Sequence, residues 1–223
     1  MRLAALFSGG KDSAFATYLA TQMGHEIRFL VNIVSSDGSW IFHTPNMDAV
    51  PYMAEAMDIP LIRVESDGTE NGDMDALKDA LEGLDIDGVV VGALWSDYQW
   101  DRMNVIIGDL DLVMVAPLWR KDQSMSYDEM VSAGIDAIIV GVFAEGLDEK
   151  WLGRHLDMDT KKELLALNEK YGVSIMGEGG EYESMTLDSP MFKKRLVIES
   201  YEKKMSKDSG TLDVTGILLE NKV

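Results

Sequence analysis

Apolar positions follow one rhythm over most of the chain, with short apolar runs alternating with amphipathic stretches. Arg2–Phe7, Ile27–Val34, Pro60–Val64, Gly88–Val91, Leu112–Val115 and Ala137–Val142 predict strands. Asp12–Met23, Asn46–Met57, Asp73–Leu84, Asp97–Ile107 and Ser126–Ala133 predict the intervening helices. In the first helix Phe15, Ala16, Leu19 and Ala20 share a face, and Gly24 is a fitting stop; in the third, Met74, Leu77, Leu81 and Leu84 recur at helical spacing. Pro45 holds Thr44 extended, and Asn46 is placed to cap the second helix. Strand and helix alternate from residue 2 to about 142. This predicts an α/β fold, a doubly wound parallel sheet covered on both faces and joined by right-handed crossovers. Ligands of such folds sit outside the carboxyl ends of the strands, where the strand order switches.

After residue 145 the rhythm changes. Thr160–Tyr171 predicts a helix, Gly177–Tyr182 a turn-rich acidic segment, and Arg195–Tyr201 and Leu212–Leu219 two strands. A soft boundary falls near 145, giving a larger unit over 1–145 and a smaller lobe over 146–223. There is no internal repeat and no low-complexity stretch.

The chain's 223 residues suit one large domain or a domain with an appendage. At this size folding removes roughly 70% of the unfolded surface from water, enough for a self-sufficient core. With no cysteine, disulfides, thiolate zinc sites, iron–sulfur clusters and cysteine nucleophiles are excluded. No apolar run reaches the ~18 residues that span a bilayer, and no basic-then-apolar leader opens the sequence, so a cytoplasmic location and no membrane partner are expected. The net charge of −19 disfavours nucleic acid as a partner, because that affinity rests on Lys and Arg neutralising phosphates. A local basic patch for a tRNA stays open. The acidity steers toward a basic protein partner, or serves solubility alone. The 15 methionines suit gap-filling in the core. A homo-oligomer is compatible with all of this.

The candidate chemistry is concentrated in Ser8-Gly9-Gly10-Lys11-Asp12-Ser13, directly after the first strand. A helix start offers unpaired N–H groups and the positive end of the helix dipole, so an anion is favoured there. Gly9 and Gly10 admit phosphate oxygens without interference from a Cβ. Ser8 and Ser13 add hydroxyls and Lys11 a point charge. Asp12 fits a magnesium ligand or a partner of Lys11. The spacing is neither G-x-x-x-x-G-K-[ST] nor G-x-G-x-x-G. The plain alternative is a strand-to-helix turn with Asp12 as cap.

The hexapeptide resembles the pyrophosphate loop (PP-loop) of the N-type ATP pyrophosphatases, whose HUP-like sheet binds ATP. Three further segments narrow the likeness: Phe42-His43-Thr44-Pro45-Asn46, Ser96-Asp97-Tyr98-Gln99 and Gly177-Glu178-Gly179-Gly180-Glu181-Tyr182-Glu183-Ser184. Together with Leu152-Gly153-Arg154 and Leu187-Asp188-Ser189-Pro190 they resemble the diphthine–ammonia ligase family over nearly the whole chain. The resemblance implies an AMP-forming ligase. ATP, with Mg2+, would activate the carboxylate of diphthine on translation elongation factor 2, and ammonium would supply the amide nitrogen of diphthamide. It also implies an ATP-binding unit over 1–145 and a substrate-binding or lid lobe over 146–223. Three departures stand out. Trp100 replaces a usual Arg, Met103-Asn104 a Val-Glu pair, and Ser184 a common Thr, while Arg102 is kept. A lost ion pair and an altered substrate contact both remain open.

On this reading Ser8, Gly9, Gly10, Lys11, Asp12, Ser13 and His43 hold the nucleotide, with Asp12 on the metal, and Lys11, Asp12 and Glu181 are catalytic. Ser96, Asp97, Tyr98, Gln99, Arg102 and the run Gly177, Glu178, Gly179, Gly180, Glu181, Tyr182, Glu183 contact the substrate. Diphthine carries a fixed positive charge, for which aromatic faces and acidic side chains are the natural partners. Trp95, Tyr98, Trp100 and Tyr182 with Asp97, Glu178, Glu181 and Glu183 supply both; the alternative is that Trp95 and Tyr98 are ordinary core aromatics. A carboxylate of the acidic turn is placed to orient ammonium or take its proton; the alternative is a solvated turn. His43 sits at a strand's carboxyl end, and a structural hydrogen bond competes with a contact to the nucleotide. His155, Arg154 and Lys161 are weaker candidates for phosphate or protein contact. Two rival functions remain: a tRNA-modifying N-type ATP pyrophosphatase, and a non-catalytic ATP-binding sensor on a similar sheet.

Overall fold

A computed structural model of the chain describes residues 1–35, 46–93, 95 and 97–222. The parallel layer is built from β1 (Arg2–Leu6), β2 (Glu26–Ser35), β3 (Leu61–Ser66), β4 (Gly88–Val90) and β5 (Val113–Val115). Between them run α1 (Lys11–Gln22), α2 (Val50–Met57), α3 (Glu70–Leu81) and α4 (Asp97–Asp109). The strand order is β3-β2-β1-β4-β5, and every neighbouring pair is parallel. The chain leaves β1 toward β2 on one side and returns to β4 on the other, so the switch in order lies between β1 and β4. Side chains alternate across the central strand. Leu3 and Ala5 join one core with Phe7, Phe15, Leu30 and Met53. Ala4 joins the other, with Val31, Leu77, Val89, Met103 and Ile107. Each large side chain so buried contributes about 1.5–3 kcal/mol relative to exposure.

The alternation does not continue to residue 142 as one sheet. The apolar run read as a sixth parallel strand is β6 (Asp136–Val142), and after α5 (Gln123–Ser132) it opens a second, antiparallel sheet. That sheet has the order β7-β6-β9-β8, with β7 (Tyr182–Asp188), β8 (Lys194–Met205) and β9 (Gly210–Asn221). A strand buried on both faces has the same sequence pattern in either sheet, so periodicity could not assign β6. The sequence pattern does not predict β7; the glycines before it mark a turn over Gly177–Tyr182, which reaches its first residue. The last helix, α6 (Met158–Tyr171), starts two residues earlier than expected, with Asp157 accepting bonds from the Asp159 and Thr160 amides.

The two sheets share one core. Ile138, Val140, Leu164, Tyr182, Met185 and Leu212 belong to the same buried cluster as Leu3, Phe7 and Phe15. Asn46 adds a polar tie. It is not the cap the sequence suggested: it takes a left-handed conformation, φ 66°, before a short 3-10 turn, Met47–Ala49. Its amide nitrogen donates to the Leu212 carbonyl (2.9 Å), and its oxygen accepts the Val214 N–H (2.7 Å), so the side chain pairs with β9 like a short piece of strand.

Candidate active site

The glycine loop lies where the strand order switches. Phe7 donates its N–H to the Val31 carbonyl, and buried Asn32 donates its amide to the Phe7 carbonyl at 3.0 Å, which fixes the exit of β1. Gly9 then turns to φ +81°, a conformation that disfavours side chains. A Cβ at Gly9 would also sit 3.0 Å from Met53 Sδ. Gly10 is extended and begins α1 with no side-chain cap. Ser13 Oγ donates to the Gly10 carbonyl at 3.0 Å and lies 3.3 Å from Ser8 Oγ. Opposite, Gly92 follows β4, and a Cβ there would meet Ser13 N and Cα at 3.0 Å. Bare backbone from two strand ends therefore frames the first turn of α1, whose dipole and amides suit a phosphate.

The second sheet closes this loop from one side. Edge strand β7 donates the Thr186 N–H to the Gly9 carbonyl (2.9 Å), and Ser184 Oγ accepts the Lys11 N–H (3.1 Å). The Lys11 side chain turns inward, only 3% exposed, with Nζ 2.6 Å from Asp12 Oδ2 and 5.3 Å above the Tyr182 ring. Burial opposes its charge, but Asp12, Glu178 and Glu183 outweigh that and hold its pKa above the ordinary value. Burial, reinforced by Asp12, lifts the Glu183 carboxyl to about 7 against the pull of Lys11. Glu178 moves up for the same leading reason. The Tyr182 hydroxyl donates to the Ile175 carbonyl, and burial raises its pKa well above the usual phenol value. Asp12 Oδ1 and Thr186 Oγ1 are buried with no hydrogen-bond partner.

The acidic glycine segment divides its carboxylates between two tasks. Glu181 accepts the Ser174 N–H (3.0 Å) and the Gly179 N–H (2.8 Å), so it staples the turn that Gly177 and Gly180 form at positive φ. Glu178 and Glu183 face Lys11 and Asp12 instead. Glu178 Oε2 also accepts the Trp95 N–H at 3.2 Å, which ties this turn to the segment leaving β4.

Next to that segment is a group that sequence reasoning only half found. Trp100 stacks on Trp119 with centroids 4.0 Å apart and planes 11° from parallel. The Arg120 guanidinium lies over Trp95 (4.9 Å) and over Trp119 (5.0 Å), and pairs with Asp97. No motif marks Trp119 and Arg120 in the sequence. The available signal was their place just past β5, beside the switch point, and Arg120 at φ 59° is one of four non-glycine residues with positive φ among those described.

Other candidates lie elsewhere. Arg102 pairs with Glu70 on α3. Arg154 pairs with Glu163, His155 Nδ1 lies 2.6 Å from Asp136, and buried Lys161 bonds to Asp128 and the Ser124 carbonyl, all within the second sheet's surroundings. Phe42, His43, Thr44, Pro45 and Ser96 lie outside the described residues; Tyr98 and Gln99 are on the first turn of α4.

Among the described residues no three or more Asp, Glu or His cluster as a self-contained metal site. Magnesium does not require one, since it commonly takes one or two carboxylates and completes its shell with phosphate oxygens and water. The partnerless, buried Asp12 Oδ1 beside the glycine loop fits that pattern.

Residues 1–113 match the family model described as "Diphthamide synthase N-terminal domain", and residues 121–218 match "Diphthamide synthase C-terminal domain". A Danio rerio protein named "Diphthine--ammonia ligase" is 41% identical, the match covering 91% of this chain and 88% of that one. The Homo sapiens protein of the same name is 39% identical over 91% of this chain and 84% of its own. A solved structure titled as a predicted subunit of tRNA methyltransferase from Methanocaldococcus jannaschii superposes with a TM-score of 0.47 at 13% identity, covering 85% of this chain and 98% of that one.

Proposed function

The chain belongs to the diphthamide synthase family, and from that premise we propose that it is a diphthine–ammonia ligase, amidating diphthine on translation elongation factor 2 at the expense of ATP. The supporting observation is the bare-backbone loop Gly9-Gly10 at the switch point, with the partnerless Asp12 oxygen beside it.

The triphosphate lies along the first turn of α1, with the amides of the glycine loop and the hydroxyls of Ser8 and Ser13 on its oxygens. Asp12 would hold Mg2+ through its partnerless oxygen, and the ion would supply positive charge against the leaving pyrophosphate. Lys11 keeps Asp12 oriented through its 2.6 Å pair and offsets the charge of Glu178 and Glu183. A diphthine carboxylate oxygen attacks the α-phosphorus; the new P–O bond forms as the bond to pyrophosphate breaks. Ammonia then attacks the acyl carbon, a proton leaves the nitrogen, and AMP departs with the former carboxylate oxygen. Glu183, with its pKa near 7, is the group assigned to take that proton. Glu181 shapes the turn that presents Glu178. Residues 146–223 serve as the substrate side and shield the acyl-adenylate from water. No described helix is long and apolar enough to cross a membrane, and a cytoplasmic site of action, alongside elongation factor 2, completes the reading.

The test is incubation with diphthine-bearing elongation factor 2, ATP–Mg2+ and ammonium. Mass spectrometry of the modified histidine is expected to show the acid converted to amide, with AMP and pyrophosphate released in equal amounts. Release of ADP, or an unmodified carboxylate, overturns the proposal.

A further inference from the structure

We propose that Trp95 and Trp119 form a clamp for the quaternary ammonium of the substrate, and that Arg120 occupies this clamp as an internal stand-in which the substrate displaces. The inference rests on the ligase reading for the identity of the cation, and on the geometry for the clamp. A trimethylammonium group has no N–H to donate. Aromatic faces and carboxylates are the protein groups that recognise it. The exits of β4 and β5 present two indole faces to one cation, at 4.9 and 5.0 Å, with the Asp97 carboxylate on that cation.

Both walls are pinned by contacts that do not involve Arg120. Trp119 is backed by the stacked Trp100 ring. Trp95 donates its indole N–H to the Lys121 carbonyl at 2.9 Å and its backbone N–H to Glu178. The gap therefore persists when the guanidinium leaves. The occupant is easy to displace, because the Arg120 and Asp97 side chains are 45% and 68% exposed and exchange their pair for water at small cost. Through Glu178 the clamp adjoins Lys11 and Asp12, so a cation held there carries its carboxylate toward the glycine loop. Trp100, which stands where the resemblance led one to expect Arg, acquires a role as the plate that fixes Trp119.

The experiment has two arms. In steady-state amidation, Trp95→Ala is expected to raise KM for the diphthine-bearing protein about tenfold or more while KM for ATP holds. Trp95→Phe, which keeps an aromatic face, is expected to recover most of the loss. Arg120→Asn, chosen because Asn tolerates the positive φ, is expected to hold or lower KM, since it removes the internal competitor. An unchanged KM in Trp95→Ala, or a rise in Arg120→Asn matching that of Trp95→Ala, overturns the proposal. The second arm does not use the reaction. Tetramethylammonium chloride is titrated into 15N-labelled protein while the indole N–H resonances of the five tryptophans are followed. The Trp95 resonance, identified by its loss in Trp95→Phe, is expected to shift together with one other indole, at lower concentration in Arg120→Asn and not with sodium chloride. Absence of that shift sinks the clamp. If the wild-type protein amidates nothing yet these indoles shift, it is the ligase reading that fails and the clamp that stands.

Discussion

Gly9 and Gly10 are adjacent but are glycine for different reasons, and the difference is measurable. Gly9 needs its positive φ and lacks space beside Met53; Gly10 has φ −76°, open to any residue, and a Cβ there would meet Ser184 O at an ordinary 3.4 Å. Gly9→Ala is expected to cost about 1–2 kcal/mol from the left-handed backbone alone, lowering Tm as well as raising KM for ATP. Gly10→Ala is expected to leave Tm within about 2 °C, the size of a sub-kcal change in a chain of this length, and still weaken ATP binding by crowding the cradle. Scanning fluorimetry with and without ATP–Mg2+ separates the two. The buried carboxylates yield a pH prediction. Glu183 titrates near 7 in the fold against an ordinary value of 4.5, so the folded state binds the extra proton between these values. Its stabilising contribution is full below about pH 4.5 and is lost as pH rises through 7. Glu183→Gln, a neutral near-isostere, is expected to lessen the fall of Tm between pH 5 and 8, with Glu178 still titrating, and to raise Tm at pH 8 by about 10 °C, from a penalty of about 3 kcal/mol, while slowing amidation. An unaltered pH profile of Tm would show that Glu183 titrates as an ordinary surface carboxyl. At this scale the loop was legible in sequence because strand, glycines, Lys11 and Asp12 are contiguous. The separate tasks of Glu178, Glu181 and Glu183 were not, since three carboxylates among glycines look alike until a fold gives each its neighbour.

Among the elements, those with local partners could be read and those with distant ones could not. The turns of α1 and α3 follow from hydrophobic faces within about a dozen residues. α3 begins at Glu70 rather than Asp73 because Thr69 accepts the Gly72 N–H, a cap that hydrophobic periodicity ignores. β7 was lost to the glycines that precede it, although it supplies Ser184 and Thr186 to the loop. Asn46 shows the same limit more sharply. An Asn before an apolar run is a good cap on local grounds, yet its amide reaches 166 residues along the chain to β9. The structure predicts two separable costs there. Asn46→Gly keeps the left-handed backbone and loses both bonds, about 1 kcal/mol each. Asn46→Ala loses the same bonds and adds the strain of positive φ, about 1 kcal/mol more. Calorimetry is expected to rank Tm as wild type above Asn46→Gly above Asn46→Ala. Equal values for Ala and Gly would mean that the 3-10 turn relaxes out of its left-handed start.

At the scale of the molecule, the boundary that the change of rhythm suggested near 145 does not mark a division of the core. Leu3, Phe7, Phe15 and Met53 of the parallel layer share one buried cluster with Tyr182, Met185 and Leu212 of the second sheet, and β7 bonds directly to the loop that would hold the nucleotide. Separating the sheets exposes a continuous apolar face and leaves Lys11, Asp12 and Gly9 without the strand that positions them. Cooperative unfolding follows, because the larger of the two buried clusters is built jointly by both sheets and is lost when they part. Calorimetry of the full chain is expected to give one transition with matching calorimetric and van't Hoff enthalpies, raised by ATP–Mg2+ as a native-state ligand. A chain ending at residue 120 keeps every residue of the glycine hexapeptide and all five parallel strands, so a self-contained nucleotide domain would still bind. The shared core predicts otherwise: loss of the sharp transition, binding of an apolar dye, and no ATP-dependent shift. Two resolved transitions in the full chain, or an ATP response in the fragment, would mean that the second sheet is an accessory to the nucleotide site rather than one of its walls.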